Sequence, residues 1–126
     1  MNRTLSTYGK YFFDFYNKLD KDLQAKIDWV FELVKTVNHI PEKYFQHLEN
    51  TDGLFEIRIE FESNIYRIFC FFDEGNLVIL INAFQKKTQK TPKPELELAI
   101  KLKKQYFIDK KLNAENEKGS GKKIKK

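Results

Sequence analysis

The chain has 126 residues, 41% hydrophobic and 15% aromatic with 12 phenylalanines, which suffices for one core in one domain. A single cysteine, Cys70, excludes an internal disulfide and any cysteine-based zinc site, and the absence of a signal-peptide pattern or a membrane-length apolar run points to a soluble, cytoplasmic protein. The net charge of +5 is uneven: residues 1–84 carry a net −4 and residues 85–126 a net +9, so an anionic partner is expected at one end, nucleic acid before membrane.

In chain order, the aromatic run YFFDFY at Tyr11–Tyr16 reads as a first strand. Asp20 or Asp22 can cap a helix whose apolar positions Leu23, Ile27, Val30, Phe31 and Val34 recur at helical spacing. That helix should end before Pro41, because a residue preceding proline is pushed out of the α region. Pro41 suits the first turn of a short helix through about Leu48, with Phe45 and Leu48 inward. Asn50–Gly53 then turns the chain into a three-stranded meander.

In Leu54–Phe61 the alternation is clean, with Phe55, Ile57, Ile59 and Phe61 on one face and Glu56, Arg58 and Glu60 on the other. A Ser63–Asn64 turn leads to the second strand and a Glu74–Gly75 turn to the third. Those turns pair Glu60 with Arg67 and Arg67 with Asn82, and put Arg58, Arg67, Asn82 and Phe84 on one face. The other face collects Tyr66, Ile68, Cys70, Phe72, Leu77, Ile79 and Ile81 as core, with Cys70 a buried small hydrophobe.

The third strand runs into ILINAFQKKTQKTP, Ile79–Pro92, where Gln85, Lys86, Lys87 and Lys90 follow Phe84. Lysines beside an aromatic ring at a strand end fit a phosphodiester and a stacked base. Pro94 opens a last helix with an apolar stripe of Leu96, Ala99, Leu102 and Tyr106. Residues 1–112 form the domain and 113–126 a basic tail, in which Glu115–Lys126, ending KGSGKKIKK, offers almost nothing to pack and reads as disordered.

GLFEIRIEF, YRIFCFF and LINAFQKKTQKTP, followed by a helix carrying Ala99 and Tyr106, resemble the phage-derived HigB-like branch of the RelE/ParE toxin superfamily over roughly residues 8–108. The resemblance implies an α+β fold, a small twisted, mainly antiparallel sheet in the order β-α-α-β-β-β-α with helices packed on one face. It implies the toxin of a type II toxin–antitoxin pair, a ribosome-dependent endoribonuclease that cleaves mRNA by metal-independent 2′-hydroxyl attack. Arg58 and Arg67 would hold the scissile phosphate, and Lys86 and Lys87 would add transition-state charge, one of them exchanging a proton if burial lowered its pKa.

Phe84, Lys90 and Asn82 would complete substrate binding, Phe84 by stacking on a base and Lys90 on a neighbouring phosphate. Several relatives carry a histidine, tyrosine or glutamate near the strand end, whereas Asn82–Lys90 has none; His39 and His47 read as surface or helix-end residues. No cofactor or metal is implied. The implied partners are a helix-turn-helix antitoxin, mRNA on the ribosome, and DNA only through the antitoxin. Two other readings stay open: a same-fold toxin that inhibits a protein such as DNA gyrase, and a non-enzymatic nucleic-acid-binding partner of an antitoxin.

Overall fold

The computed structural model describes residues 2–120. Eight elements follow in order: β1 (Thr4–Thr7), α1 (Tyr11–Tyr16), α2 (Lys21–Thr36), β2 (Phe45–His47), β3 (Leu54–Phe61), β4 (Asn64–Phe72), β5 (Leu77–Lys86) and α3 (Lys93–Ser120). The strands form one sheet in the order β1-β5-β4-β3-β2, with β1 parallel to β5 and every other pair antiparallel. The expected α+β class and mainly antiparallel sheet are borne out.

Helix α2 forms where its pattern predicts. Asp20 is the cap, its carboxylate accepting the Leu23 N–H at 2.9 Å, and Leu23, Ile27, Val30 and Val34 are buried. Such a cap contributes about 1 kcal/mol.

Two expectations near the N-terminal half need correction. Tyr11–Tyr16 is a helix rather than the first strand, which is instead Thr4–Thr7. Phe12, Phe15 and Tyr16 sit at i, i+3 and i+4 and turn inward together, a helical period masked by the run of aromatics. The helix expected from Pro41 makes one turn, with the Tyr44 and Phe45 N–H groups donating to Pro41 O, and then extends as β2. There its backbone satisfies the outer edge of β3, which would otherwise present unpaired donors and acceptors.

The turns also differ. Glu62 and Ser63, both at positive φ (50° and 66°), form the β3–β4 turn, so Phe61 opposes Asn64 and Arg58 opposes Arg67. Sliding a two-residue turn by one position moves each partner by two, which preserves faces; Arg58 and Arg67 therefore share a face as expected. Between β4 and β5 the loop is one residue longer than expected, with Gly75 at φ 59° and the Asp73 N–H donating to Leu77 O. That extra residue reverses the faces of early β5, so Val78 and Leu80, not Leu77, Ile79 and Ile81, join the Ile57–Ile68–Cys70 core.

A bulge opposite Phe69, between the Ile68–Ala83 and Cys70–Leu80 pairs, then reverses them again. Arg67 consequently opposes Phe84 rather than Asn82.

Both faces of the sheet are covered, against the expectation of helices on one face alone. Helices α1 and α2 pack on Ile57, Ile59, Ile68, Cys70, Val78 and Leu80, while Ala99 and Leu102 of α3 pack on Leu54, Phe69, Phe71, Ile79 and Ile81. Helix α3 also continues through Ser120, past the expected boundary at residue 112 and into the stretch expected to be disordered; residues 121–126 lie outside the described residues.

Candidate active site on the arginine face

Cross-strand pairing sets Arg58, Arg67 and Phe84 in one row across β3, β4 and β5. The next row toward the end of β5 is Glu60, Ile65 and Lys86, and the row on the other side holds Gln46, Glu56 and Phe69. Alternation alone therefore brings Glu56, Arg58, Arg67 and Lys86 onto a single face.

Arg67 is only 7% exposed and is held from two sides. Its Nη1 donates to Thr91 Oγ1 at 2.6 Å and lies 3.4 Å from Glu56 Oε1. Glu56 is itself 2% exposed, so this is a buried charge pair, not a surface one. Burial pushes the Glu56 carboxyl above its ordinary value, against the pull of Arg67, Arg58 and Lys86. Arg58 is half-buried, its Nε 3.7 Å from Glu60 Oε1, in place of the expected Glu60–Arg67 pair. Lys86 is partly buried, and burial, followed by repulsion from Arg67 and Arg58, lowers its pKa.

A groove of about 560 Å³ opens beside the pair, lined by Arg67, Glu56, Thr91 and the β2 residues Phe45, Gln46 and His47, with Glu42, Leu48 and Glu49. His47 contributes to the rim, but its ring packs edge-on against Phe55 at 5.1 Å, and Phe55 belongs to the opposite face.

The expected site residues thus divide. Arg58, Arg67 and Lys86 come together, and Lys87 and Lys90 are exposed beyond the end of β5. Two substrate-binding expectations are corrected by burial. Asn82, 2% exposed, donates to Glu95 O and Glu95 Oε1, both at 3.0 Å, and so ties the bulge to the start of α3. Phe84, 9% exposed, stands edge-on to Phe69 at 5.2 Å within the α3 core, which leaves no open face for a base. It pairs with Arg67 across β4 and β5 while its ring belongs to the α3-side core.

Sequence reasoning missed Glu56 and Thr91 as the residues that orient Arg67. Glu56 was visible by alternation with Arg58, and Thr91 stood inside the KKTQKTP segment, but only the fold of that segment back over β4 joins them. Among the described residues no cluster of three or more His, Cys, Asp or Glu could hold a metal ion, and no helix is long and apolar enough to cross a membrane.

The family model described as Phage derived protein Gp49-like (DUF891) matches residues 14–104. No curated protein matches the chain. Among solved structures the chain is similar to one in the crystal structure of the archaeal RelE–RelB complex from Pyrococcus horikoshii OT3. The identity is 14%, the match covers 68% of this chain and 96% of that one, and the TM-score is 0.51. At that identity the likeness concerns the fold alone.

Proposed function

Because the chain belongs to the Gp49-like family of phage-derived proteins, a RelE/HigB-type toxin family, and has the RelE fold, we propose that it is a ribosome-dependent mRNA endoribonuclease. The observation that carries this reading is the row of Arg58 and Arg67 with Lys86 on the same face, Arg67 also lining the groove of about 560 Å³.

In metal-free RNA cleavage the 2′-oxygen attacks phosphorus, the bond to the 5′-oxygen breaks, and a 2′,3′-cyclic phosphate and a 5′-hydroxyl result. One proton leaves O2′ and one reaches O5′. The phosphorane between carries extra negative charge, which fixed cations stabilise because they need no reorganisation as it forms. Arg67, locked by Glu56 and Thr91, offers a preset guanidinium, and Arg58 a second that shifts from Glu60 to phosphate. Lys86 is the proton-exchanging group, since its lowered pKa brings the neutral amine closer to working pH. Lys87 and Lys90, exposed, hold flanking phosphates.

The similar archaeal structure is a RelE–RelB complex, which supports an antitoxin as partner here also. We expect a helix-turn-helix antitoxin, with DNA contacted only through it.

The test is induction of the intact chain without antitoxin, with primer extension on cellular transcripts. New 5′ ends inside codons and loss of translation are expected. Arrest with intact transcripts would replace the nuclease by a protein-directed toxin, and unaffected growth would remove the toxin reading altogether.

A further inference from the structure

Outside the groove, α2 and the segment before β2 build a second basic surface on an otherwise acidic body. A cleft of about 240 Å³ is lined by Lys26, Lys43, Tyr44, Arg58 and Glu60. Three of its five lining residues are cations, and the one carboxylate is already engaged with Arg58 at 3.7 Å. Trp29, 51% exposed, stands edge-on to Tyr44 at 5.8 Å. Lys26 Nζ lies 4.9 Å from the Trp29 ring centre and Lys43 Nζ 5.4 Å from that of Tyr44.

The half-exposed indole has the Lys26 ammonium over its ring and Tyr44, with Lys43 over it in turn, beside it. That combination of π-faces and point cations fits a strand with stacked bases and regularly spaced phosphates. An exposed cation–π contact is weak, so a base can take the ring while the lysine moves to the adjacent phosphate. An apolar protein surface would instead bury both lysines without partners. Arg58 lines this cleft and also stands in the Arg67 row, so the two surfaces meet at one residue.

We propose that Lys26, Trp29, Tyr44 and Lys43 form a subsite for single-stranded RNA flanking the cleaved linkage, with Trp29 stacking on a base and the lysines on phosphates. The proposal rests on the ribonuclease reading for the identity of the strand, but it is testable without cleavage.

Trp29 is the chain's only tryptophan, so its fluorescence reports on this surface alone. The intact chain is titrated with a 2′-O-methyl oligouridylate, which binds but cannot be cut. Quenching of Trp29 is expected. In K26Q/K43Q, folded by circular dichroism, affinity should fall at least about tenfold and the slope of log affinity against log salt should flatten by about 1.4, about 0.7 for each lost phosphate contact. W29L, followed by anisotropy of labelled RNA, should bind about tenfold more weakly.

RNA binding with no change in Trp29 fluorescence, or with affinity unchanged in K26Q/K43Q, would overturn the subsite. Quenching by polyglutamate but not by the oligouridylate would overturn it in favour of an acidic protein. Failure to find transcript cleavage in cells removes the nuclease while leaving this measurement standing.

Discussion

On the proposed reading, Arg67 acts through the residues that hold it. The guanidinium is buried against Glu56 and Thr91, so its replacement by alanine would strand a buried carboxylate and confound activity with folding. Arg67→Lys keeps the charge but loses the planar fork. Loss of one preset contact to the transition state costs on the order of 3 kcal/mol, about a hundredfold in rate. Folded R67K protein is therefore expected to cleave transcripts about a hundredfold more slowly, and wild-type rates in R67K would reject the assignment. Glu56 has a pH signature of its own. Its folded pKa lies above the ordinary 4.5, so its contribution favours the fold below that value and is lost as pH rises through the folded pKa. Denaturant titrations of wild type and Glu56→Gln should show the variant gaining on the wild type as pH rises through that window. A difference independent of pH would mean that the carboxyl is not held as described.

Among the elements, α3 is the one whose docking decides the site, since Thr91 just before it and Glu95 in its first turn pin Arg67 and Asn82. Further along, it is latched to the β4–β5 loop by a second buried carboxylate, Asp73. Tyr106 donates to Asp73 Oδ2 at 2.6 Å, and Lys110 to both oxygens at 2.7 and 2.9 Å. Burial opposes ionisation of Asp73 most, but the bonds from Lys110, Tyr106 and the Glu74 N–H together hold its pKa below the ordinary 3.8. Burial and then Asp73 push the Tyr106 hydroxyl up to about 12. Tyr106→Phe removes one donor to a buried charge and should cost about 1–2 kcal/mol, read as a melting temperature lowered by roughly 3–8 °C. Because a depressed carboxylate contributes stability above its unfolded pKa and loses it as pH falls through the folded one, the gap between wild type and Y106F should narrow below pH 3.8. An equal gap at pH 7 and pH 3 would show that Asp73 is not the partner that matters.

At the scale of the molecule, the cations gather where the C-terminal, basic third of the chain meets the sheet. A partner that covers Lys86 and Lys87 must bring carboxylates, since unpaired cations at an interface are costly. K86E/K87E should therefore bind the antitoxin at least tenfold more weakly by calorimetry, roughly 1.4 kcal/mol. Unchanged affinity would move the antitoxin off this face. One alternative surface is the largely apolar groove of about 590 Å³ between residues 50–54 and Ile100, Phe107 and Ile108 of α3.

Much of this was legible in the residues themselves. Period two in Leu54–Phe61 and the helical stripe of α2 are local patterns, and the side-chain directions they impose put Arg58 and Arg67 on one face wherever a two-residue turn falls between them. The quoted segments also carried the family, which the match over residues 14–104 bears out. Other features depended on contacts between residues far apart in the chain. Whether Pro41–Leu48 coils or extends is decided by the open edge of β3, and the faces of early β5 by a loop one residue longer than its Glu-Gly signal and by a compensating bulge. Burial of Phe84 and Asn82 required α3 to cross the second face of the sheet, and the partners of Arg67 come from 11 residues before it and 24 after. Local periodicity fixes which way a side chain points; only packing determines whether what it points at is solvent, substrate or another part of the same chain.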